Sequence, residues 1–125
     1  TGAQGVQGFQ GNQGNQGAYP SDTIYTASDG ATVTFDMNNG RIQQVTITAN
    51  RAFAFSNDSG NMRIALKVIQ GSGGSKLVTS WPGTVSWAGG SAPTLSTTAA
   101  HWDWIGFIRT GTGTYDGFVL SADHA

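Results

Sequence analysis

Hydrophobic and polar positions follow two different periods along this chain. Over residues 1–18 the regularity is three. Gly2, Gly5, Gly8, Gly11, Gly14 and Gly17 recur at every third position, and Gln4, Gln7, Gln10, Gln13 and Gln16 close the first five triplets. From Ile24 onward the period is two, the repeat of an extended strand with one face in and one face out. Residues 31–36 alternate, with Val33 and Phe35 on one side. Asn38-Asn39-Gly40 then predicts a tight hairpin turn, because Asn and Gly accept positive φ. Residues 41–48 place Val45 and Ile47 together, and Phe53 and Phe55 alternate in a short strand after them. Met62, Ile64, Leu66 and Val68 share a face opposite Arg63, Ala65 and Lys67, the clearest half-buried strand in the chain. Residues 76–81 and 84–87 predict short strands on either side of Pro82-Gly83. A longer strand covers 101–109, and Gly111-Thr112-Gly113 turns into a last one over 114–120. No stretch carries the i, i+3, i+4, i+7 apolar stripe of an amphipathic helix. Eight or nine short strands joined by Gly-rich turns predict an all-β domain, a β-sandwich of jelly-roll-like type.

The period of three has a steric cause. In a collagen-like triple helix three polyproline-II chains wind together, and every third residue meets a crowded axis where only glycine fits. The triplets therefore predict a homotrimer, with the six glycines on the axis of a rod about 50 Å long at about 3 Å per residue. A flexible Gly/Gln linker is the competing reading of the same composition. The triplets contain no proline, so six of them make a weak triple helix, and the domain that follows is expected to hold three chains in register. The organisation predicted is a stem over 1–18, a junction over 19–30 and a β-sandwich head over 31–125.

Composition narrows the function classes. The chain has 125 residues, a net charge of −1 and 10% charged residues. Clustered Lys and Arg, the footprint of nucleic-acid binding, are missing, and no apolar run reaches the roughly 20 residues that span a bilayer. There is no cysteine, which removes disulfides and thiolate metal sites. Thr1 falls inside the repeat phase and no initiator Met precedes it, so the chain is expected to be the C-terminal piece of something longer.

Trp81-Pro82, then Trp87-x-Gly89-Gly90-x-x-Pro93-x-Leu95, then Asp103-Trp104-Ile105-Gly106-Phe107 and Tyr115-Asp116-Gly117 form a recognisable series. About two-thirds of the chain, from Gly40 onward, resembles the C-terminal head domain of phage tail-fibre and related virion surface proteins. In such proteins collagen-like repeats often precede the head. The resemblance implies a trimeric virion component without catalysis or cofactor: a tail fibre or receptor-binding adhesin, or alternatively a capsid head fibre or decoration (cement) protein. The implied partners are two further copies of the chain, other virion proteins reached through an N-terminal part, and a host cell-surface glycan.

Trp102 and Trp104 sit two apart on one strand and so share a face, opposite His101, Asp103, Ile105 and Phe107. The resemblance places the Ile105 and Phe107 face in the core. Two tryptophans are then left outside, where large aromatics require a partner: a neighbouring subunit or a stacked sugar; with the parity inverted they pack in the core instead. Trp81, Trp87 and Tyr115 are further interface or ligand candidates, with a structural role in the core or at the trimer axis as the other reading for the two tryptophans and packing against them for Tyr115. Asp103, on the inward face, needs hydrogen-bond donors and is expected to pin a turn. A glycosidase would need a second carboxylate at a defined spacing, and Asp116 and Asp123 both fall in turn-like or terminal sequence. His101 and His124 lack the grouping of a zinc site.

Overall fold

A computed structural model describes residues 23–125. The Gly-x-Gln triplets, the predicted stem and part of the junction lie outside the described residues. The described residues form nine strands: β1 (Tyr25–Thr26), β2 (Thr32–Asp36), β3 (Ile42–Ile47), β4 (Arg51–Ser56), β5 (Arg63–Gln70), β6 (Val78–Ser80), β7 (Thr84–Trp87), β8 (Trp102–Gly111) and β9 (Thr114–His124). Six form one sheet in the order β1-β3-β5-β8-β9-β7, and three form a second in the order β2-β4-β6.

The fold is all-β, and its topology departs from the jelly roll expected. A jelly roll pairs its strands antiparallel. Here β1–β3, β3–β5, β2–β4, β4–β6 and β7–β9 pair parallel, and only β5–β8 and β8–β9 pair antiparallel. The reason lies in the connections. The first six strands alternate between the sheets, so each returns beside the strand two before it, running the same way. A parallel pair needs a crossover, and the intervening strand of the opposite sheet supplies it.

Asn38-Asn39-Gly40 is therefore not a hairpin turn. Residues Met37–Asn39 form a single 3₁₀ turn that carries the chain from one sheet to the other. Asp36 caps it, accepting a 2.9 Å hydrogen bond from the Asn38 N–H. Gln43, fully buried, donates through Nε2 to the carbonyls of Asp36 at 2.7 Å and Gly40 at 2.8 Å. Gln70 does the same for the loop over 71–77, bonding both the carbonyl and the N–H of Lys76. These two side chains replace backbone partners that a hairpin would have provided.

Period-two patterning decides what is inside. Val33 and Phe35 of β2, Val45 and Ile47 of β3, Phe53 of β4, Ile64, Leu66 and Val68 of β5, and Ile105 and Phe107 of β8 are all buried in one core. Burying each such side chain is worth about 1.5–3 kcal/mol. Aromatic edges join the two sheets: Phe55 meets Phe107 at 5.3 Å and Tyr115 at 5.2 Å, both T-shaped. The last strand runs beyond the predicted Leu120 to His124. A bulge between Val119 and Ser121 breaks its alternation and hides the continuation from the sequence pattern.

Candidate functional site

The six-stranded sheet has one face against the core and one face outward, and the outward face is apolar along its centre. The strand register builds it row by row. Ile42 of β3 lies beside Ala65 of β5, Ala65 beside Gly106 of β8, and Gly106 beside Phe118 of β9. In the next row Arg63 pairs with Ile108, and Ile108 with Asp116. Ile42 is 44% exposed, Ile108 40% and Leu120 52%. Gly106 is the floor: a Cβ there would stand 2.5 Å from the Phe118 ring and 3.1 Å from Leu120. The missing side chain lets these two lie flat across β8. The result is a shallow apolar depression of about 400 Å³, margined by Arg41 and Arg63.

Trp102 and Trp104 continue the same outer face, alternating with buried Asp103 and Ile105. Trp102 has neighbours on both sides. Lys67 Nζ, from β5, stands 4.4 Å from its ring centroid, and the His124 imidazole, from β9, stacks at 5.7 Å with a 17° tilt. A cation over an indole face is attracted by the ring quadrupole, so this ring is held by its own chain.

Asp103 is 2% exposed, and its oxygens are engaged. Oδ2 accepts from the Ser96 N–H at 2.7 Å, and Oδ1 from the Asp123 N–H at 2.7 Å. It thus ties the loop before β8 to the end of β9. Ser96 Oγ lies 3.0 Å from an oxygen of both Asp103 and Asp123, and donates to one at a time. The His101 ring nitrogen, 2.7 Å from Asp123, holds that carboxyl below the usual carboxylate range, helped by Ser96. Among the described residues no group of three or more His, Cys, Asp or Glu is placed to hold a metal ion. No helix of the described residues is long and apolar enough to cross a membrane.

The other candidates lie elsewhere. Trp81 and Trp87 contact each other at 5.0 Å and pack on Phe107 at 5.9 and 5.7 Å, half-buried at the rim of the core. Tyr115, grouped in the sequence with possible contact residues, is 4% exposed and belongs to the core. Its hydroxyl donates to Asp58, whose carboxylate also has Arg109 Nε at 3.6 Å. Burial, reinforced by Asp58, pushes the phenol up to about 12. The structure thus separates Trp102 and Trp104, on the outer face, from Trp81, Trp87 and Tyr115, between the sheets.

Ile42, Ile108, Phe118 and Leu120 were not singled out in the sequence, although β8 carried a signal. Its even positions read Trp102, Trp104, Gly106, Ile108 and its odd ones Asp103, Ile105, Phe107. A strand apolar on both parities is one covered on both faces. Comparison with known proteins adds no relative: no family model, no curated protein and no solved structure matches the chain.

Proposed function

We propose that this chain belongs to a homotrimeric, non-enzymatic phage virion protein, a tail fibre or receptor-binding adhesin with its head displayed on a collagen-like stem. The observation that carries the reading is the apolar outer face of the six-stranded sheet, in a chain that begins with glycine at every third residue. Contiguous exposed apolar surface of this kind marks an interaction site, and none of the described residues covers this face. A triple-helical stem brings two more copies to it. The tryptophan and glycine series from Trp81 to Gly117 supplies the virion context by resemblance.

Subunit contact is preferred to sugar stacking for the outer tryptophans, because Trp102 is already flanked by Lys67 and His124. Contact with a host glycan then falls to the loops at the ends of the sheets, where a rigid scaffold commonly presents recognition. Gold-labelled antibodies against the head, imaged on intact particles, test the assignment. Label at the distal ends of tail fibres supports it. Label over the capsid shell replaces it with a head fibre or decoration protein, and label on no part of a particle rejects the virion reading.

A further inference from the structure

We propose that the outer face of the six-stranded sheet is the surface on which three copies of this chain meet, each packing its Ile42, Ile108, Phe118 and Leu120 against its neighbours. This rests on the three-chain reading above and adds which surface is used.

The entry point of the chain selects the face. The last stem glycine is Gly17, and the first strand, β1 at Tyr25–Thr26, is the edge of this same sheet, paired to β3. Eight residue steps reach no more than about 28 Å. Three chains leaving one triple helix therefore deliver three copies of the β1 edge close to a common axis, and Ile42 on β3 is the next strand in. The outer face of the other sheet makes a poor alternative. It presents Thr32, Thr34, Ala52, Ala54 and Ser80, with little apolar surface to remove from water.

The margins of the face carry opposite charges. Arg41 and Arg63 border it on the β3 and β5 side, while Asp116 borders it on the β9 side. None of the three has an ion-pair partner among the described residues. A three-fold ring uses a heterologous contact, in which each copy offers two different patches to its two neighbours. A face basic along one margin and acidic along the other suits that symmetry. Asp116 of one copy then approaches Arg41 or Arg63 of the next. Gly106 keeps the centre of the sheet low, so that a neighbour's side chains can settle into the depression.

The test uses the full 125-residue chain. Sedimentation equilibrium should give three chains for wild type, one chain for Ile108→Glu, and three for the control Thr34→Glu on the other sheet. Should Ile108→Glu fail to fold, labelling decides, because the chain has no native cysteine. Ile42→Cys should be protected from a maleimide in the assembled protein, while Thr34→Cys reacts to completion. Equal reactivity of the two cysteines in a trimeric protein overturns the assignment of this face and leaves the three-chain reading standing. A single-chain wild type overturns both.

Discussion

Gly117 on β9 and Trp87 on β7 are register partners, and the indole lies where a side chain at 117 would have to be. A Cβ at that position would be 2.6 Å from the Trp87 ring and 2.7 Å from a methyl of Val85. Trp81 and Phe107 pack against the Trp87 ring and resist its displacement. Gly117→Ala should therefore cost about 1–3 kcal/mol, the usual penalty for overpacking. Urea denaturation measures it, and a variant as stable as wild type would show that the indole can move aside.

Asp103 joins Ser96 and Asp123 by charge-assisted bonds at 2.7 Å. Asp103→Asn keeps the shape, removes the charge and turns one acceptor into a donor. A loss of at least about 2 kcal/mol is expected, together with faster amide exchange at Asp123. Unchanged exchange there would mean that the end of β9 is held by something other than this carboxylate.

The hydroxyl of Tyr115 should announce itself at high pH. Its folded pKa is raised to about 12 from an ordinary 10.0. The stabilising contribution is thus fully present below about pH 10 and is lost as pH rises through about 12. Absorbance titration should show a late phenolate component that Tyr115→Phe removes. If the substituted protein retains that component, another tyrosine is the buried one.

Asp29 gives the complementary acid-side effect. Arg51 donates to it at 2.8 and 3.0 Å, and Thr48 at 2.6 Å, holding its pKa at about 2 against an ordinary 3.8. The stability it contributes is present above the ordinary value and is lost as pH falls through the folded one. Thermal melts of Asp29→Asn should consequently fall less steeply than those of wild type between about pH 4 and about pH 2. Parallel slopes would show that this ion pair does not link the β1–β2 connection to β4.

Much of the strand layout was legible in alternation alone, because burial on one face is a local property of a strand. Ile64, Leu66 and Val68 point inward as read, and so do Asp103, Ile105 and Phe107. What alternation cannot encode is which strand lies beside which. Asn38-Asn39-Gly40 has the chemistry of a hairpin, yet it bridges two sheets, because the partners that decide the matter, Gln43 and Asn57, come from later in the chain. The outer face was half visible. Trp102 and Trp104 stood out by size, whereas Ile42 and Ile108 are single apolar residues whose meaning appears only when the register sets β3, β5, β8 and β9 side by side. Tyr115 was open to both a packing and a contact reading, because the register of β8 and β9 that sets it in the core is not visible in the sequence.

Substitution in the stem should separate stem from head. Gly8→Ala places a methyl where a triple helix has no room. It should lower the melting of the stem and leave the head's transition nearly unchanged in circular dichroism. A chain whose low-temperature transition ignores this change has a linker rather than a triple helix before its head.

The central claim is that the head, and not the glycine repeat, holds three chains together. Light scattering on the full chain through the stem's melting transition addresses it directly. The account predicts a mass three times the 13.0 kDa of one chain, persisting after the stem has melted and falling only when the head unfolds. A mass that drops to a single chain as the stem melts, or that is a single chain throughout, would contradict it.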